Sequence, residues 1–373
     1  MTGRADPWGD GDAGVEAGNP WDDRSLDEAA WTESIHMEPD TSDWQHTPRP
    51  VQRPPRPVDS PGKPRPTRGQ VGTRPEVHTS SGKSDKSRKG WRSLFRGRGI
   101  SAGRSETDSL KASVSRPLPR AKTVAFINEG GGTGKTTSAL LLGLTLALYR
   151  PGPIVAVDAS PGCGDLANRA PAPDGPVGTV RTVVSSAERI SSYEQVRAHT
   201  NVLSGGLELL AADASMSNDA VFTGAAYTRL MGVLRQHYDL VITDCAAGMV
   251  SDVVPAVLDD ADLVVIVSEG GDGVRSSTWT ANWMLEHAQR NPRYKQLLDD
   301  AVVVVNSRHD RTNANTGKIV DFYRGIVRAV VQLPFDQHLE GGNIIEMNKL
   351  ADATRHQLMK LADAVMSSAA MER

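Results

Sequence analysis

Three stretches stand end to end: Thr123-Val-Ala-Phe-Ile-Asn128, Glu129-Gly-Gly-Gly-Thr-Gly-Lys-Thr-Thr137 and Ser138-Ala-Leu-Leu-Leu-Gly-Leu-Thr-Leu-Ala-Leu148. They read as strand, glycine loop and helix, the context a phosphate-binding loop requires. Glycines let the backbone take positive φ and turn its N–H groups inward around phosphate oxygens. The helix N-terminus adds partial positive charge behind them. In this reading Gly131, Gly132, Thr133, Gly134, Lys135, Thr136 and Thr137 cradle a nucleotide. Lys135 reaches the β- and γ-phosphates, and the Thr136 hydroxyl ligates Mg²⁺. The general pattern opens on a glycine where this chain has Glu129, so that carboxylate is expected to point away from the phosphates or be screened by Mg²⁺.

Working downstream, apolar strands are expected at Thr123–Asn128, Ile154–Asp158, Glu208–Ala211, Leu240–Asp244, Asp262–Ser268, Ala301–Asn306 and Val327–Gln332. Unbroken β-branched runs such as Val302-Val-Val-Val305 fit buried parallel strands. Helical patterns cover Lys135–Tyr149, Thr223–His237, Gly273–Arg290 and Leu350–Met366. The alternation predicts an α/β fold: a doubly wound, mostly parallel sheet of the P-loop NTPase kind. Two strands end in aspartate, Asp158 and Asp244, at the sheet edge where α/β folds bind ligands. With Thr136 they are the expected Mg²⁺ set. Each aspartate taken alone also fits a turn or a helix cap.

Upstream, the chain of 373 residues changes character. Residues 1–45 carry net charge −10 and contain Trp8, Trp21, Trp31 and Trp44. Such an acidic segment, poor in aliphatics, is expected to be disordered. Its tryptophans suit anchors for a protein partner, since aromatics are depleted in merely solvating tails. Residues 46–120 carry net charge +13 and are rich in proline and arginine, which reads as an extended basic linker. Within it, residues 86–98 space Trp91, Leu94 and Phe95 at helical intervals among lysines and arginines. This segment fits an anionic membrane surface, DNA phosphates, or the chain's own acidic tail. Residues 121–373 carry net charge −6 and form the expected ATPase domain.

The two cysteines, Cys163 and Cys245, provide no disulfide framework and suit a reducing compartment. No secretory signal is read at the start of the chain, and the longest apolar run is shorter than the roughly 18–20 residues a membrane span needs. The expected location is cytoplasmic, with peripheral attachment at the inner face of the membrane as the alternative.

From about residue 121 to 366 the chain resembles the ParA/MinD family of P-loop ATPases. The family loop K-G-G-x-G-K-[ST]-[ST] lies over Gly130–Thr137. Val155-Ala-Val-Asp-Ala-Ser-Pro-Gly162 resembles the family's second-strand motif, and Asp239-Leu-Val-Ile-Thr-Asp-Cys-Ala-Ala-Gly248 resembles Walker B and the switch after it. Ala261-Asp-Leu-Val-Val-Ile-Val267 resembles the next core strand. The resemblance implies that Asn306 reads adenine and that the loop holding Pro334 and Asp336 closes over the base. It implies ATP and Mg²⁺ as ligands, Lys135 and Asp158 as catalytic residues, and a nucleotide-dependent homodimer. The tail-plus-ATPase layout also resembles actinobacterial members of the EspI kind, linked to type VII secretion.

Two departures bear on catalysis. The family's signature lysine, which reaches across a dimer to the partner's phosphate, falls on Gly130, and the aspartate that orients attacking water falls on Ser160. Weak or partner-dependent ATP hydrolysis is therefore expected. Asp165 is a candidate replacement carboxylate, and Arg169, Arg275 or a partner's arginine are candidate replacement cations. Cys163 and Cys245 fall in the two segments expected beside the γ-phosphate, either as unrelated thiols or as a redox latch. Three functions fit the whole: a spatial or assembly switch for secretion or for cell-pole or septum positioning, a DNA partition ATPase, and a non-hydrolysing scaffold gated by nucleotide.

Overall fold

The computed structural model describes residues 101–373 apart from 162–163, 171–177, 204, 214–221, 271–273 and 309–312. The tryptophan-containing tail, residues 46–100 with the 86–98 segment, and Cys163 lie outside the described residues.

The described chain runs α1 (Ser101–Val114), β1 (Lys122–Ile127), α2 (Lys135–Tyr149), β2 (Ile154–Asp158), α3 (Leu166–Arg169), α4 (Val180–Ser186), α5 (Tyr193–Arg197), β3 (Asn201–Val202) and β4 (Leu207–Leu210). It continues through α6 (Gly224–His237), β5 (Leu240–Asp244), α7 (Val253–Asp260), β6 (Leu263–Glu269), α8 (Val274–Ala288), α9 (Arg293–Asp299) and β7 (Val302–Asn306). Last come α10 (Asn313–Tyr323), β8 (Ala329–Leu333), α11 (Gln337–Glu340), α12 (Asp352–Met366) and α13 (Ala369–Glu372).

The strands form one eight-stranded sheet in the order β3-β4-β2-β5-β1-β6-β7-β8. Every pairing is parallel except β3 with β4. The doubly wound expectation is thus met, with a short antiparallel strand added at one edge. The expected strands all form, with ends differing by one or two residues.

The central strands are buried on both faces, which is why they read as continuous apolar runs. The helix α2 is buried nearly all round, from Ser138 to Leu148, because it lies between the sheet and α12. Gly143 makes the close approach to the sheet possible: a Cβ there would lie 2.9 Å from Leu207 Cδ2.

The helix α1 lies upstream of residue 121, where the sequence reading starts the ATPase domain, and it packs along α12. Arg150, buried at the end of α2, secures its C-terminus by donating to Val114 O at 2.9 Å and Arg116 O at 2.6 Å. Those carbonyls would otherwise lack partners at a helix end. Lys122, also fully buried, donates to Ala370 O and lies 3.7 Å from Asp262, so β1 starts by tying in α13. Among the described residues, no helix is long and apolar enough to cross a membrane.

Candidate nucleotide-binding site

Parallel strands align their C-termini, and the loops that leave them meet over one end of the sheet. Phe126, Asp158 and Asp244 stand side by side in register across β1, β2 and β5. Above them opens a cavity of about 660 Å³. Its wall includes residues 131–137, Ser160, Asp165, Arg169, Asn306, Arg308, Pro334 and Asp336. The expected nucleotide contacts therefore converge on a single cavity.

The glycine loop has the backbone its function needs. Gly132 and Gly134 take φ of 71° and 96°. At Gly134 a Cβ would lie 2.3 Å from the Asn306 Nδ2 atom, so glycine is needed both for its dihedral and for its space. Lys135 Nζ curls back to donate to Gly130 O at 2.8 Å and Asn128 O at 3.3 Å. Burial pushes this ammonium below its ordinary pKa, while the charges of Asp244, Cys245 and Glu129 oppose that shift. A buried cation on the wall of a cavity lined by a glycine loop is suited to a phosphate.

The loop is stitched to α8, a link the sequence reading missed. Asn128 Nδ2 donates to Ser276 Oγ at 3.0 Å, Thr280 Oγ1 donates to Asn128 Oδ1 at 2.9 Å, and the Glu129 N–H donates to Thr280 Oγ1 at 2.8 Å. Ser276 and Thr280 are one turn apart on the same helix face, a pattern too common in sequences to signal a contact. The Glu129 side chain points away from the cavity wall, as expected, and accepts from the Met249 N–H.

Asp158 and Asp244 lie beneath the cavity rather than on its wall, with Asp158 fully buried and Asp244 nearly so. The Asp158 carboxylate accepts from Ser160 N–H at 3.1 Å and Leu166 N–H at 3.2 Å. Gly164 packs against it so closely that a Cβ would sit 2.0 Å from Oδ2. Burial raises its pKa, and those backbone bonds partly counter the rise. Asp244 is pushed up to about 8 by burial and by the charge of Asp158, with Thr136 and Lys135 opposing.

Asp244 Oδ1 has no hydrogen-bond partner among the described residues. A buried carboxylate oxygen without a donor is costly. A hard divalent cation held by Asp244 and the Thr136 hydroxyl would relieve it, so the residues present fit Mg²⁺. No cluster of three or more His, Cys, Asp or Glu side chains able to hold a metal occurs among the described residues. Mg²⁺ held by one or two carboxylates ordinarily takes the rest of its shell from substrate phosphates and water.

The other expected residues have structural duties as well. Asn306, at the end of β7, donates from Nδ2 to Thr133 O at 3.1 Å and so braces the glycine loop. Asp336 caps α11 by accepting from His338 N–H at 3.0 Å, and accepts from Ala351 N–H at 2.9 Å. It fixes the late loop through its backbone. Arg275 is exposed on α8 and does not line the cavity. Arg308 does line it, two residues beyond Asn306, and was not singled out from the sequence. Cys245 is a free, buried thiol whose pKa is raised by burial and by Asp244.

An AAA domain family model matches residues 121–272. The ParA family ATPase of Chlorobium tepidum superposes with a TM-score of 0.53 at 16% identity, over 65% of this chain and 98% of that one. The cell division ATPase MinD of Pyrococcus furiosus does so with a TM-score of 0.51 at 17% identity, over 66% and 98%. The domain has the ParA/MinD fold. In sequence the chain is similar to the ESX-1 secretion-associated protein EspI of Mycobacterium tuberculosis, 31% identical over 288 residues. That match covers 75% of this chain and 42% of EspI, so the chain spans less than half the length of this curated relative.

Proposed function

We propose that the chain is an ATP-binding, slowly hydrolysing switch of the ParA/MinD type that recruits partners, with a role in secretion or in cell-pole or septum positioning. One observation carries this reading. The buried Lys135 lines the cavity together with the positive-φ glycine loop, while at the end of β5 a buried Asp244 oxygen lacks a partner among the described residues. That is a place for an anion and a place for a cation. Bound Mg²⁺ would neutralise charge on the β- and γ-phosphates. Lys135 would exchange its carbonyl contacts for phosphate oxygens, and Asn306 and the Pro334–Asp336 loop would surround the base.

Coupling to partners would run through the segment after Asp244. Gly248 N–H donates to Glu129 O at 2.9 Å and Met249 N–H to the Glu129 carboxylate, so this segment is tied to the first residue of the loop. A change of phosphate state at the loop would move it, as order–disorder switches do in other nucleotide-binding proteins. Homodimer formation, a protein partner for the tryptophan tail, and membrane or DNA for the basic region belong to the same proposal, as does a link to secretion through the similarity to EspI.

A second reading, the nucleotide-gated scaffold without hydrolysis, is favoured by Gly130. A Cβ there would meet Ser276 Cβ and Oγ at 2.7 Å, so this chain has filled the space where the family's lysine starts. ATP binding and phosphate release on the purified chain test both, alone and with anionic vesicles or DNA, with Lys135→Ala as control. Binding with stimulated release supports the switch. Tight binding with no release under any condition supports the scaffold. Absence of binding removes both.

A further inference from the structure

The geometry points to Arg169 as the residue that contacts the terminal phosphate from within its own chain, taking over the cationic role vacated at Gly130. This rests on the nucleotide-binding reading above and deepens it.

Arg169 ends α3, the short helix that follows β2 and Asp158. It lines the same cavity as Lys135 and the glycine loop. Its side chain is nine-tenths buried, at 8% exposure. Its Nε atom has no hydrogen-bond partner among the described residues, and no ion pair to the guanidinium is found there. Asp165, one turn earlier, is the charge that acts on it, but an Asp165 carboxylate oxygen already accepts from Asn168. Buried guanidinium groups are normally paired with carboxylate or phosphate in a bidentate fork. A guanidinium with no carboxylate partner among the described residues, on the wall of this cavity, is set up for an anion that arrives with the ligand.

The position is fixed from outside the helix. Ile345 N–H donates to Arg169 O at 2.9 Å, tying α3 to the loop that follows α11. Gly342, with φ of 67°, leaves room for the side chain: a Cβ there would lie 3.2 Å from Arg169 Nη1. The other cationic side chains on the wall are Lys135 and Arg308. Arg308 already contacts Glu269 at 3.5 Å and lies over Gly132. Arg169 lines the wall with Ser160 and Asp165, all from the segment that follows β2, and a terminal phosphate projecting to that segment would meet its guanidinium.

The test compares ATP with ADP, both with Mg²⁺, by titration calorimetry on the full chain. Arg169→Gln removes the charge and keeps much of the volume, and Arg169→Lys keeps the charge. We expect Arg169→Gln to weaken ATP about 10–100-fold and ADP by less than about 3-fold, the scale of one charge-assisted contact. Arg169→Lys should recover part of the preference for ATP. Equal weakening of both nucleotides would mean that Arg169 only supports the 341–346 loop, and would overturn the inference. So would unchanged ATP affinity in a folded Arg169→Gln chain. Binding of neither nucleotide by the unmodified chain would overturn the functional reading itself, a result distinct from either.

Discussion

Glu129 Oε2 accepts a hydrogen bond from the Met249 backbone N–H at 2.7 Å. A carboxylate that would repel phosphate is thereby turned into a strap across the segment that leaves β5. The residue that departs from the usual loop pattern thus has its partner in the segment after β5, and the link is charge-assisted. Replacing Glu129 with alanine removes a contact worth about 1.5–3 kcal/mol. Amide exchange at Met249 should then quicken about tenfold or more, with exchange in β6 unchanged, as read by hydrogen–deuterium exchange.

Lys135→Ala should lower ATP affinity about 10–100-fold, since a charged hydrogen-bonding group is lost from the cavity. Its stability should change little or improve, because burial already pushes the ammonium below its ordinary pKa. Calorimetry and a thermal melt on the same preparation separate the two effects.

The nucleotide-free protein should be more stable in mild acid than in mild base. Asp244 is raised to about 8 in the fold, against 3.8 for the ordinary carboxyl. The folded chain therefore holds a proton that the unfolded chain releases. The stabilisation is complete below about pH 4 and is lost as pH rises through about 8. Asp158 is shifted in the same direction, mainly by its burial. Across that window the change is on the order of a few kcal/mol. Melting curves in chelator from pH 5 to pH 9 measure it. Asp244→Asn should flatten the profile and abolish the response to Mg²⁺.

Gly130→Lys should not by itself restore fast hydrolysis. Its Cβ would collide with Ser276, and overpacking of this kind costs about 1–3 kcal/mol. The double change Gly130→Lys with Ser276→Ala should recover only part of the lost stability, since the Asn128–Ser276 hydrogen bond is lost, and should raise phosphate release above that of the single variant. Additive behaviour of the two substitutions in melts would mean that they do not share the space.

The sheet was legible because its strands are buried on both faces, so Val302–Val305 and Leu240–Asp244 announce themselves as apolar runs. The cavity was legible in its phosphate loop, whose glycines and lysine are contiguous in the chain. What α1 shows is the opposite case. Its stretch is polar, with Leu110 and Val114 as its main apolar contacts to the core, and it is held by α12 and by the buried Arg150. Nothing local marks a helix whose stability comes from elsewhere. The stitching of Asn128 and Glu129 to Ser276 and Thr280 was hidden for a related reason. Side chains separated by about 150 positions meet only after the sheet has formed. The brace from Asn306 to Thr133 and the double capping by Asp336 are also three-dimensional facts. They give these residues duties in the ligand-free fold beyond those their motifs imply.

The side-by-side placement of Asp158 and Asp244 has a consequence for the protein's lifetime. Two buried carboxylates in register make the ligand-free form the least favourable version of this fold. A ligand that brings a divalent cation to Asp244 would add its binding free energy to that of folding. With ligand bound as proposed, the chain would open less often and meet proteases later than it does without ligand. Abundance in the cell would then rise with nucleotide supply.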